Sequence, residues 1–136
     1  FFGEKDFQQL LIVKKLVNSL DIPCKIISMS TVRDREGLAI SSRNRYLKKD
    51  KKLIANNLYK ILCEASKNIA TGKNIELVID KAKKNILESG FTKLDYLEIR
   101  SEKDLKEIKT YSKEKPRIFV AVYIDDIRLI DNIAIE

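Results

Sequence analysis

At 136 residues, of which 44% are hydrophobic, the chain has the length of one ordinary domain and enough apolar content for a core without disulfide or metal support. Charged residues make up 35%, and only four glycines and two prolines occur, which excludes a disordered chain and points to helix-rich structure. The net charge of +7 would help attract anions, nucleotides and nucleic acid among them, but the lysines are interleaved with Asp and Glu along helices, as on a solvated surface.

The chain starts on Phe1-Phe2-Gly3 instead of Met, which reads as the end of a strand whose predecessors are absent, so a fragment is expected. Gly3-Glu4-Lys5-Asp6 then predicts a tight turn into a helix that Asp6 could cap. From Phe7 to Leu20 the residues Leu10, Leu11, Ile12, Val13, Leu16, Val17 and Leu20 cover more than one face, predicting a largely buried helix, as in a covered α/β sheet. Asp21-Ile22-Pro23 breaks it, and Cys24 to Met29 is a plausible strand, giving the strand–helix–strand order of an open parallel sheet. In such sheets ligands bind beyond the carboxyl ends of strands, which is where both polar clusters of this chain fall.

The second cluster runs from Asp34 through Gly37, Ile40, Ser41, Ser42, Arg43, Asn44 and Arg45 to Leu47. After it, Asp50 could cap a helix with Ile54, Leu58, Ile61, Leu62, Ala65 and Ile69 at helical spacing, stopped by Gly72. Asn74 opens another, with Ile75, Val78, Ile79, Ala82 and Ile86 on one side and an end near Gly90. Lys93 to Arg100 reads as a strand and Ser101 to Leu105 as a short capped helix. The β-branched runs Arg117–Ile124 and Ile127–Asn132 across Asp125-Asp126 predict a hairpin. The expected architecture is therefore α/β: residues 1–43 end an open parallel sheet with a nucleotide site at its strand ends, and residues 44–136 form a small α+β two-layer unit, helices over a short antiparallel sheet.

Histidine is missing, so the usual zinc ligand and the commonest general base are not supplied by this chain, and its chemistry must use Lys, Arg, Ser, Gln and carboxylates. Cys24 and Cys63 read as buried free thiols of a reducing compartment. No apolar run approaches the length of a membrane span, and no signal peptide is visible. Ser and Arg so close together suit phosphate oxygens, because Arg offers a planar fork of donors and Ser a short, adaptable one. In the first cluster Gly3 would let backbone approach a ligand, Lys5 would place a point charge on phosphate, and the helix N-terminus would add N–H donors. Gln8 and Gln9 could fix a neighbouring polar substrate. Each cluster alone also fits an ordinary surface turn, with Ser42 or Asn44 acting as a cap. Together, separated by one helix and one strand, they are far more specific.

Three stretches, Phe2-Gly3-Glu4-Lys5-Asp6-Phe7-Gln8-Gln9-Leu10, Thr31-Val32-Arg33 with Gly37 to Leu47, and Arg128-Leu129-Ile130-Asp131-Asn132, carry a family resemblance. In their order and spacing the chain resembles the C-terminal half of the pantothenate synthetases, the pantoate–β-alanine ligases, over essentially its whole length. The resemblance implies an ATP-dependent ligase of the nucleotidylyl-transferase superfamily, cytoplasmic, that makes pantothenate through pantoyl adenylate, a step towards coenzyme A. It implies that Gly3, Glu4, Lys5, Asp6, Val32, Ile40, Ser41, Ser42 and Arg43 contact ATP, with Val32 against the adenine side, and that Gln9 holds pantoate. Lys5, Ser41, Ser42 and Arg43 would stabilise charge on the reacting phosphates, and Mg²⁺ would accompany the nucleotide. The family's N-terminal histidine motif and a further pantoate-binding glutamine have no counterpart here, so this chain alone is expected to be inactive. Ile127 stands where the family tail usually has a small or hydroxyl residue, read as packing variation. The full-length protein is expected to be a homodimer, without nucleic acid or membrane partners.

Two readings from other classes stand beside this one. A basic nucleic-acid-binding module would rest on the net charge alone, and would require Lys and Arg grouped with exposed aromatics; here the bases are dispersed, and Phe1, Phe7, Tyr96, Phe119 and Tyr123 lie in predicted core elements. A non-catalytic interaction domain would suit residues from Asn44 onward. The discriminating observation is whether Lys5 and Arg43 converge on one cavity.

Overall fold

The computed structural model describes residues 1–110 and 115–136. Its largest core belongs to two amphipathic helices packed on one face of a three-stranded antiparallel sheet. The sheet consists of β3 (Lys93–Ser101), β4 (Pro116–Ile124) and β5 (Ile127–Ala134), with β4 in the centre. β4 is buried along almost all of its length because both its faces are covered, which is why its sequence reads as an unbroken β-branched and aromatic run instead of an alternating one. Residues 118, 120, 122 and 124 point into the helical core, whereas Phe119 points the other way, as the period of two requires. The turn between β4 and β5 is Asp125-Asp126, with Asp125 at φ +52°. The predicted hairpin and the predicted strand from Lys93 are both present.

Residues Leu58, Leu62, Ala65 and Ile69 recur at i, i+4, i+7 and i+11 and form the buried stripe of α3 (Asn57–Ala70). α4 (Ile75–Glu88) buries Ile75, Val78, Ile79, Ala82 and Ile86, and starts on Asn74, whose Oδ1 accepts the Leu77 N–H at 3.1 Å. The single helix expected from Asp50 through Ile69 is divided into two, α2 (Lys49–Ala55) and α3; α2 begins at Lys49 with Lys48 ahead of it, so Asp50 lies in its first turn and is not the cap. The predicted short helix at Ser101 is a single turn. The Leu105 N–H returns to the Ser101 carbonyl at 3.0 Å, and Leu105 then takes φ +60°, which a continuing right-handed helix does not allow.

On the opposite face of the sheet lies the N-terminal segment. β1 (Phe2–Gly3) pairs in parallel with β2 (Ser28–Met29), and between them run a 3₁₀ turn at Glu4–Asp6 and α1 (Phe7–Ser19). The strand–helix–strand order is as expected, but β2 is confined to two residues, and Asp6 makes no side-chain capping bond. The expectation of a largely buried helix fails. Only Phe7 and Leu10 are buried, against Phe119 and Tyr96, while Ile12, Leu16 and Leu20 are 64%, 53% and 62% exposed. An apolar helix is buried only on the faces that neighbours cover, and here the sheet covers one. Phe1 is likewise exposed, and Cys24 lies at the surface, not in a core; Cys63 is half-buried. Among the described residues no helix is long and apolar enough to cross a membrane.

Candidate functional site

Two short segments bring chemistry to the same edge of the sheet, and β5 holds both. The first is the Glu4–Asp6 turn that opens α1. Its backbone is fixed by Asn132, whose Nδ2 donates to the Glu4 carbonyl at 2.8 Å and the Lys5 carbonyl at 2.9 Å. Asn132 is itself oriented by Arg117, which donates to its Oδ1 at 2.6 Å. The Arg117 guanidinium also donates to Glu102 at 2.8 Å, approaches Glu4 at 3.7 Å and lies 4.3 Å over the Phe7 ring. The Glu4 carboxylate thus faces Arg117. Lys5, with its side chain 17% exposed, reaches into the cleft, and its ammonium lies 4.0 Å from Asp6.

The second segment is a tight turn, Asp34 to Gly37, flanked by the Arg33–Ala39 bridge and the Ile40 N–H bond to the Val32 carbonyl at 2.9 Å. Asp34 makes the turn by accepting the Glu36 and Leu38 amides, both at 3.0 Å. Burial works against its charge, but these two amides and Lys52 outweigh it and hold the carboxyl below the ordinary aspartate range. Arg33 anchors the turn to β5 through a two-pronged bond to Asp131, 2.6 and 2.8 Å long, and donates to the Gly37 carbonyl at 3.0 Å. Burial again opposes the charge, and the bond to Asp131 more than offsets it, so the guanidinium is held protonated more firmly than usual. Tyr59 from α3 lies beneath the same guanidinium, 3.9 Å from its carbon.

Gly37 at φ +93° has no room for a side chain: a Cβ would lie 2.5 Å from Tyr59 Cδ1. Gly37→Ala therefore strains the turn and displaces Tyr59 from Arg33 at once. Its expected cost, read by denaturant unfolding, is about 1–3 kcal/mol.

From this turn the chain runs into Ser41 and the 3₁₀ helix Ser42–Tyr46. Asn44 holds it shut: its Oδ1 accepts the Ser41 hydroxyl at 2.9 Å and its Nδ2 donates to the Ala39 carbonyl at 3.0 Å. Lys5, Ser41, Arg43 and Asn44 then line one narrow cleft together with Arg128 and Asp131. A wider cleft of about 330 Å³ adjoins it, lined by Lys5, Asp6, Phe7, Gln8 and Gln9 on one side and Tyr96, Phe119 and Arg128 on the other. Lys5, Arg128, Ile130 and Asp131 border both.

Of the residues singled out from sequence, Lys5, Ser41 and Arg43 meet in one cleft, and Asp6 and Gln9 border its neighbour. Gly3, Glu4, Val32, Ile40 and Ser42 line neither; Val32 and Ile40 lie side by side and exposed, 68% and 53%, before Ser41. Asn44, which the sequence offers only as a cap, closes the loop instead, and Arg33, Arg117, Arg128, Asp131 and Asn132 carry no individual role in the sequence reading. Arg128 brings a further guanidinium between the two clefts, steadied by Asp95 at 2.9 Å, whose bond raises its already high pKa. The only sequence signal for Arg33, Arg128, Asp131 and Asn132 was their place in the stretches that carried the family resemblance.

Three lysine or arginine groups, two glutamines and a serine around connected clefts can bind a polyanion and orient a small polar molecule beside it. The chain is 40% identical to pantothenate synthetase of Dinoroseobacter shibae over 99% of its own length and 48% of the relative's. It is 44% identical to that of Rhodopseudomonas palustris over 98% and 47%. Its fold matches the crystal structure of pantothenate synthetase from Thermus thermophilus with a TM-score of 0.88 at 33% identity, over 98% of this chain and 49% of that one. A second match, at TM-score 0.64 and 33% identity, covers 98% of this chain and 42% of pantoate-beta-alanine ligase from Francisella tularensis complexed with beta-gamma ATP and beta-alanine. The chain thus spans about half the length of the curated relatives it matches. With the pantoate-beta-alanine ligase family model matching residues 1–134, the chain belongs to that family.

Proposed function

We propose that this chain supplies one half of the nucleotide site of an ATP-dependent ligase that condenses pantoate with β-alanine. The observation that carries the reading is the convergence of Lys5, Ser41 and Arg43 on one cleft, with Gln9 bordering the next. In this reading residues 1–43 complete a Rossmann-like nucleotide domain and residues 44–136 form its lid.

A pantoate carboxylate oxygen attacks the α-phosphorus of ATP, forming the acyl phosphate bond as the bond to pyrophosphate breaks. The β-alanine amine, in its neutral form, then attacks the acyl carbon; the amide forms, AMP leaves, and the amine gives up a proton. The first nucleophile is already ionised at neutral pH, so the step depends on positioning and charge neutralisation more than on a general base. Lys5 and Arg43 would hold the phosphates as negative charge gathers on pyrophosphate, and Ser41 and Ser42 would donate to their oxygens. Gly3, Glu4, Asp6, Val32 and Ile40 would complete the nucleotide contacts, and Gln9 would hold pantoate. Among the described residues no group of three His, Cys, Asp or Glu is placed to hold a metal. Mg²⁺ would accompany the nucleotide and supply further charge neutralisation there. The full-length protein is read as a cytoplasmic homodimer that engages small molecules and neither nucleic acid nor membrane.

The test uses a protein of the relatives' full length that carries this chain. Pantoate-dependent exchange of pyrophosphate into ATP is expected without β-alanine, and pantothenate and AMP in equal amounts once β-alanine is added. Exchange that ignores pantoate would remove the ligase reading.

A further inference from the structure

Among the described residues no side-chain hydrogen bond or ion pair joins the two polar segments directly; adjacent residues of one strand hold both. Because successive strand residues face opposite sides of a sheet, Asp131 points to the helical face and Asn132 to the α1 face. Asp131, 4% exposed, takes the Arg33 fork and so fixes the turn that leads to Ser41 and Arg43. Asn132, 3% exposed, takes the Glu4 and Lys5 carbonyls and so fixes the turn that presents Lys5 and leads to Gln9. Asn132 N–H also donates to Asp131 Oδ1 at 2.8 Å, which ties the two holds together.

We propose that Asp131 and Asn132 are a positioning pair, which sets the separation between the Lys5 turn and the Ser41–Arg43 loop through the bonds it makes to those two segments. Its kinetic consequences rest on the ligase reading; its structural consequences rest on geometry alone. Buried carboxylate and amide groups in a strand are costly unless fully bonded, and here their side-chain bonds lead to the two site segments, to Arg117, which orients Asn132, or from one member of the pair to the other.

Near-isosteric variants in the full-length protein test this without opening a cavity. Asn132→Asp keeps an acceptor for Arg117 but loses both donations to Glu4 and Lys5. Asp131→Asn keeps the shape but offers Arg33 one acceptor oxygen instead of two. Amide hydrogen exchange should quicken over residues 3–6 in Asn132→Asp and over residues 33–40 in Asp131→Asn, each with the other segment little changed. Kinetically, Asn132→Asp should raise KM for pantoate through displaced Gln9. Asp131→Asn should slow pyrophosphate exchange about 10–100-fold with KM for pantoate close to that of the parent. Arg33→Lys, which keeps the charge but loses the fork, should reproduce the Asp131→Asn pattern, and combining the two should add little. Equal quickening of both segments in each variant, or none in either, would overturn the pairing. The expected exchange pattern in a protein with no pantoate-dependent turnover would leave the pairing standing and remove only the ligase reading.

Discussion

Lys5→Ala is expected to slow pantoate-dependent pyrophosphate exchange by about 10²–10³-fold, the loss usual when a preorganised charge-stabilising group is removed from a reacting centre. The size follows from where Lys5 sits. It borders both clefts, its stem is largely covered, and its backbone is held through Asn132, so its ammonium needs little reorganisation to meet a phosphate. Arg43, on an exposed 3₁₀ turn, has more freedom, and Arg43→Ala should cost less in rate. Lys5→Arg should recover little, since a longer side chain ending in a planar fork does not place its charge where the compact ammonium does. The unfolding midpoint should stay near that of the parent, because the side chain contributes to no core. Equal turnover in Lys5→Ala and the parent would exclude Lys5 from the reacting phosphates.

Leu62→Ala should cost about 2–5 kcal/mol of stability, measured by denaturant unfolding of this chain. Leu62 is completely buried in the middle of α3, in the core between the helices and the sheet, so its removal takes away apolar burial and leaves a hole that a sheet and two helices are too rigid to close. Leu16→Ala is the informative companion. It removes the same atoms from a helix of similar length, yet Leu16 is 53% exposed, and the expected change is within about 0.5 kcal/mol. A large loss in Leu16→Ala would mean that the outer face of α1 is covered in solution.

Much of this fold was legible because it is local. The stripes of α3 and α4, the Asn74 cap, the stop at Gly72 and the hairpin at Asp125 are periodicities or turn chemistries contained within a few residues. The short helix expected at Ser101 failed because Leu105 adopts a left-handed conformation that its side chain does not announce. The burial of α1 was misjudged for a different reason: periodicity states which faces are apolar, not which neighbours cover them. The site divided along the same line. Lys5, Ser41 and Arg43 could be found because their chemistry is concentrated in two short clusters. Arg33 with Asp131 and Arg117 with Asn132 could not be paired, because a long-range ion pair or amide bond leaves no periodic trace; the family resemblance marked three of these four residues without assigning them roles.

The holds on β5 also bear on the order in which the chain folds. Strands β3, β4 and β5 meet as successive neighbours and α3 packs on α4 as a hairpin, so that unit forms from contacts between near neighbours in sequence. By contrast, Arg33 meets Asp131 across 98 positions, and Glu4 meets Asn132 across 128. Closing such long loops costs entropy before any contact rewards it, so these contacts should form late. During synthesis the first turn and the Ser41 loop leave the ribosome long before their common anchor exists. The clefts can therefore take shape only after residues 131 and 132 have emerged and β5 has docked, and the site is completed at the end of folding.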